Sequence, residues 1–189
     1  MRFRPGLSAA VFAVALVSAF GVAAQEFPDP MPAAGVSGAA LNAAFRPLGV
    51  TFETPPGQPL VALDTHTVYG GDAVAGARAD IVLVQQGGHP CQYTMELDTP
   101  QIRVVFNRSQ LIAGPSGVTH PVWNATAQDA DGATLSSVSE GEIRSYVNVP
   151  SRRFTLTGPG IKRIVFWGDD KGVDGFCNVV IDTVDMLAP

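Results

Sequence analysis

The 189-residue sequence predicts an all-β fold, an antiparallel β-sandwich, on three observations. About ten short segments alternate apolar and polar residues, the period of two that marks strands with two different faces. Gly, Pro and Asp punctuate these segments at the short intervals that tight turns need. No long stretch carries the 3.6-residue period of an amphipathic helix, which argues against an α/β fold.

The chain opens on a secretory signal. Arg2 and Arg4 form a basic start, Leu7 to Val22 is an apolar run of 16 residues, and Val22-Ala23-Ala24 offers a small-residue cleavage site. Cleavage after Ala24 leaves 165 residues (189 − 24), enough for one domain with a sizeable core. An uncleaved anchor is the rival reading, and the run is short for it. Gln25, not a Cys, stands directly after the cleavage site, which argues against a lipoprotein anchor, and VDMLAP carries no apolar tail, so a soluble exported protein, periplasmic or extracellular, is expected. Removing the two arginines takes the formal net charge from −5 to −7, which gives no electrostatic case for binding nucleic acid.

Residues 25–40, QEFPDPMPAAGVSGAA, read as a flexible leader, and 41–189 as a single domain. A short helix is expected over Leu41 to Arg46, stopped by Pro47. Strands are expected over Gly49–Thr54, Pro59–Asp64, Asp80–Gln85, Tyr93–Leu97, Gln101–Asn107, Trp123–Gln128, Ala133–Ser139, Arg144–Val149, Arg153–Thr157, Ile161–Trp167 and Cys177–Val184. Asp129-Ala130-Asp131-Gly132 is a strong hairpin signal. Alternation assigns Ile102, Val104, Phe106, Trp123, Ala125, Ala127, Phe154, Leu156, Ile164, Phe166 and Ile181 or its neighbours to the inner face.

Cys91 and Cys177 are the only cysteines. In an oxidising compartment the simplest reading is a disulfide, against a metal or catalytic thiol, since neither sits in a CxxC. Closing so long a loop would stabilise the fold by roughly 4–5 kcal/mol on a chain-entropy account.

The segment GDDKGVDG between the last two strands holds Asp169, Asp170 and Asp174 within six residues, beside Trp167. Calcium takes several oxygen ligands from a loop able to wrap it, and Gly172 and Gly175 permit wrapping. The segment fails as an EF-hand because Gly172 and Ile181 stand at ligand positions. The alternative is a solvated turn, since Asp and Gly are ordinary turn formers. With Ile164 and Phe166 inward, Trp167 points outward at a strand end. There it can stack on the C–H face of a sugar, with Asp169 and Asp170 as polar neighbours, or pack beneath the following loop.

Catalytic signals are weak. His66, His89 and His120 are the only imidazoles, and no HExxH, nucleophile elbow or phosphate loop occurs. The pairs Asp64/His66 and Glu96/Asp98 lie side by side on strands, whereas glycoside hydrolysis needs carboxyls across a cleft. No catalytic residue is assigned.

The segments ATAQDADGATLSSVS (125–139), FTLTGPGIKRIVFWG (154–168) and VVIDTV (179–184), with FRPLGVTFE (45–53), resemble a jelly-roll module of secreted bacterial proteins, including many with PEP-CTERM sorting tails. The resemblance implies a galactose-binding-like or carbohydrate-binding jelly roll. It covers about half of the mature chain and is a fold signature more than a functional one. In such modules acidic residues on the first and last strands often share a structural calcium; Glu53 and Asp182 match those positions, with Asp170 and Asp174 nearby in sequence. The sorting tail is absent and the cysteine pair is extra. The expected function is a non-catalytic carbohydrate-binding module with a structural calcium. The alternatives are a structural or adhesive protein acting through protein–protein contacts, and an enzyme using one of the histidines or acidic pairs.

Overall fold

The computed structural model describes residues 25–26, 33–64, 81–85, 91–111, 113–168 and 181–188. The expected signal segment, 1–24, and residues 27–32 of the expected leader lie outside the described residues. In chain order the elements are β1 (Gln25–Glu26), α1 (Gly38–Phe45), a 3-10 turn (Arg46–Leu48), β2 (Val50–Glu53), β3 (Leu60–Asp64), β4 (Ile81–Gln85), β5 (Gln92–Arg108), β6 (Val118–His120), β7 (Trp123–Gln128), β8 (Thr134–Glu140), β9 (Ile143–Ser145), β10 (Arg152–Gly168) and β11 (Ile181–Leu187).

Every strand pair among the described residues is antiparallel. The main sheet runs β3-β4-β11-β5-β10-β7-β8, with β2 beside β5 and β1 beside β11, while β6 and β9 form a separate ribbon. Most neighbours in that order are distant in sequence, the wrapped connectivity of a jelly roll rather than a meander.

Two long strands turn this sheet into a sandwich. The first part of β5 pairs with β2 and with the last part of β10. The last part of β5 pairs with β11 and with the first part of β10. Between them β10 breaks register around Thr157, Ile161 and Arg163, where Gly158-Pro159-Gly160 sits and Gly160 takes φ +82. The bend is large. Trp123 on β7 pairs with Gly168, so an extended β10 would hold it about 46 Å from Phe154. The two rings instead meet at 4.8 Å. Phe106 likewise meets Phe166 at 5.2 Å from the other half. The two halves therefore face each other across one core.

That core explains most of the sequence pattern. Val104, Phe106, Trp123, Ala125, Ala127, Phe154, Leu156, Ile164 and Phe166 are all buried, as alternation requires. Ile102 is a correction: it is 39% exposed, and its neighbour Gln101 is buried instead, with Nε2 donating to the Thr99 carbonyl at 3.0 Å. The inward parity of β5 is odd at Tyr93, Met95 and Leu97 and even at Val104 and Phe106, so it changes within the corner where Ile102 lies. Ile181 is in β11, but its side chain is outside the described residues.

Local chemistry sets the other boundaries. The helix begins at Gly38, buries Leu41 and Phe45 one turn apart, and gives way to a 3-10 turn at Pro47, which lacks the N–H an α-helix would use. Asn42 ties it to β2 by donating to the Phe52 carbonyl at 3.0 Å and accepting the Phe52 N–H at 2.7 Å. In the β7–β8 hairpin, Asp129 Oδ1 accepts the N–H groups of Asp131 and Ala133, and Gly132 takes φ +84. The strand expected over Arg144–Val149 is only Ile143–Ser145, because Ser145 Oγ bonds both the N–H and the carbonyl of Val147 and turns the backbone away. The leader is not wholly loose, since Gln25 and Glu26 pair with Met186 and Asp185.

Candidate ligand-binding face

The half-sheet β2-β5-β10-β7-β8 presents a polar outer face. Ile164 and Phe166 point into the core, so Val165 and Trp167 point out, and Trp167 is 46% exposed. Residues directly opposite in antiparallel strands share a face. Trp167 is opposite Gln92 on β5 and Asn124 on β7, and Asn124 is opposite Ser139 on β8. One row therefore reads Gln92, Trp167, Asn124, Ser139. The next row is Glu53, Thr94, Val165, Thr126, Ser137, with Thr126 and Ser137 hydroxyls 3.2 Å apart. A third row holds Arg163 opposite Glu96, paired at 3.2 Å and half-exposed.

Of the residues singled out from sequence, Trp167 stands on this face and Glu53 is exposed in the adjacent row. Asp169, Asp170, Asp174 and Cys177 lie outside the described residues, as do His66 and His89. Asp182 is in β11, between residues paired with Arg108 and Asn107, whereas Glu53 pairs with Thr94. The two residues thus align with opposite ends of β5, the strand that both β2 and β11 pair with. Among the described residues no three His, Cys, Asp or Glu side chains group as a metal site would require. Of the expected calcium ligands, only Glu53 has a described side chain. Cys91 is buried and no free thiol is present among the described residues.

Other polar candidates are used structurally. Glu96 is taken by Arg163, and Asp98 is exposed, with its N–H bonded to the Gly49 carbonyl. Tyr93 is buried and stacked on Phe166 at 4.7 Å, and burial pushes its phenol well above the usual value. His120 is buried in β6.

The sequence reading missed one buried cluster. Arg108, 2% exposed, holds Glu140, 6% exposed, by Nε to Oε2 at 2.8 Å and Nη2 to Oε1 at 3.0 Å. Arg108 Nη1 also donates to the carbonyls of Ser109 and Pro150. Glu140 accepts the Trp123 indole N–H at 3.0 Å and lies 3.4 Å from Arg152. Burial pushes the Glu140 carboxyl up, but hydrogen bonds from Arg108 and Trp123 and the charges of Arg108 and His120 outweigh it, so its pKa falls below the usual value. The signal was present: Arg108 continues the inward parity of Val104 and Phe106, and Glu140 that of Val138. The cluster ties together the ends of four strands.

No family model and no curated protein matches the chain. Several solved structures are similar. The K1 cleaved adhesin domain of Lys-gingipain from Porphyromonas gingivalis W83 has 14% identity and a TM-score of 0.43, covering 75% of this chain and 91% of its own. CBM32-1 from a family 31 glycoside hydrolase of Clostridium perfringens has 10% identity and a TM-score of 0.40, covering 73% and 93%. The CBM22-1 xylan-binding domain of Paenibacillus barcinonensis Xyn10C has 10% identity and a TM-score of 0.39, covering 75% and 88%. At such scores these likenesses assign neither ligand nor activity to this chain.

Proposed function

We propose that this protein is an exported, non-catalytic carbohydrate-binding module that uses Trp167 as its stacking platform. The observation that supports the reading is a half-exposed indole on a sheet face whose flanking side chains are amides and hydroxyls. An aromatic ring takes the apolar C–H face of a sugar, and such neighbours match its hydroxyls. The export signal and a Cys91–Cys177 disulfide belong to the same proposal; mass spectrometry without reduction tests both the mature start at Gln25 and the bridge. The test of function is a glycan and polysaccharide panel, with calcium and with chelator. Binding lost on Trp167→Ala supports the reading, and a blank panel rejects it. Binding lost in chelator would support a structural calcium built from Glu53, Asp170, Asp174 and Asp182.

A second reading, an adhesive protein acting through protein contacts, is favoured by Tyr146, 83% exposed, and the exposed Val147 beside it. Concentration-dependent light scattering that Tyr146→Ser abolishes, with no glycan bound, would support it.

A further inference from the structure

We infer, resting on the carbohydrate reading, that the ligand is an internal stretch of a linear, uncharged glycan lying across the strands over Gln92, Trp167, Asn124 and Ser139. These four residues belong to four adjacent strands and are aligned by backbone register on one face. Adjacent strands lie about 4.8 Å apart, so the row spans about 14 Å, the length of about three linked pyranose rings. A single sugar stacked on Trp167 would leave the outer members of the row without a contact.

The chemistry of the row selects the ligand. Gln92 and Asn124 carry amides and Ser139 a hydroxyl, groups that both donate and accept, as sugar hydroxyls do. No charged residue stands in the row. On this face Arg163 lies four residues along β10 from Trp167, about 13 Å away, and is balanced by Glu96. Glu53 is exposed in the adjacent row and sets a negative charge against an anionic chain. A uronate-rich or sulfated polymer therefore gains nothing here and meets repulsion.

The geometry also favours a chain interior over a chain end. Gln92, Trp167 and Ser139 are all exposed on a sheet surface. A row this exposed lets a chain lie along it and run on beyond either end.

The test is calorimetric titration of the purified protein with cello-, xylo-, manno- and laminari-oligosaccharides of graded length, from one unit upward, and with polygalacturonate. Affinity for one neutral series is expected to rise to about three or four units and then level off. The Gln92→Ala/Ser139→Ala variant is expected to bind the longer ligands about tenfold more weakly while leaving the disaccharide unchanged, since each outer hydrogen bond carries a modest share. Urea midpoints of the variants, all at exposed positions, check that folding is intact. If a monosaccharide binds as tightly as the longest chain and only Trp167→Ala weakens it, the extended-chain inference falls and the carbohydrate reading stands. Polygalacturonate binding as tightly as the neutral chains overturns the uncharged assignment. If no series binds, or Trp167→Ala has no effect, the carbohydrate reading itself fails, and the inference with it.

Discussion

Arg108 and Glu140 meet in the interior of the sandwich through two parallel bonds of 2.8 and 3.0 Å, one residue ending β5 and the other ending β8. A bidentate pair with further carbonyl partners leaves neither charge unsatisfied. Breaking one side costs more than removing both, because a lone buried charge keeps its desolvation penalty. Glu140→Ala should destabilise the protein by about 3–5 kcal/mol. Arg108→Met/Glu140→Leu should lose clearly less, although it strands the Trp123 indole N–H. Urea unfolding measures both. A double variant as unstable as Glu140→Ala would sink the account.

The same carboxylate gives the fold an acid limit. Its folded value lies below the ordinary 4.5, so between the two values the unfolded chain binds the extra proton. The stabilisation is present above about 4.5 and is lost as pH falls through the depressed folded value. Urea midpoints should fall more steeply below that point in the wild type than in Arg108→Met/Glu140→Leu. Parallel curves would show that other carboxylates carry the effect.

Strand existence was legible because one-sided burial writes a period of two into the sequence, as at Trp123, Ala125 and Ala127. Strand continuity was not. Pro100 and Gly158-Pro159-Gly160 read as breaks, yet β5 and β10 each run on for 17 residues through a bend. A turn and a bulged corner use the same residues, and only the partner strands decide between them. The misplacement of Ile102 follows from this, since a corner resets the parity that alternation assumes. For the site, the outward direction of Trp167 was readable from Ile164 and Phe166. Its neighbours Gln92, Asn124 and Ser139 were not, because register between distant strands is not written in local pattern.

The corner of β10 should be sensitive to a single methyl group. A Cβ at Gly158 would sit 2.7 Å from Leu135 Cβ and 3.1 Å from its Cδ1. Gly158→Ala should therefore cost about 1–3 kcal/mol through overpacking. The clash is with a Cβ, so adding Leu135→Ala should not relieve it, whereas Leu135→Gly should show favourable coupling with Gly158→Ala in a double-mutant cycle. Equal coupling for the two partners would place the strain elsewhere.

The two tryptophans should separate cleanly in experiment. Trp123 is fully buried, packs edge-on against Phe106 and Phe154, and bonds Glu140 through its indole N–H. Trp167 projects from the opposite side of its strand pair with nearly half its surface in solvent. Trp123→Ala removes a ring from a closed core and should cost about 3–5 kcal/mol. Trp167→Ala should change stability by no more than about 0.5 kcal/mol. Acrylamide should quench one component of the wild-type emission readily and the other poorly. Trp167→Ala should abolish the accessible component and keep the shielded one. A glycan that perturbs emission should then do so only while Trp167 is present. If Trp167→Ala instead unfolds at much lower urea, the ring is part of the packing, and its exposure does not mark a binding surface.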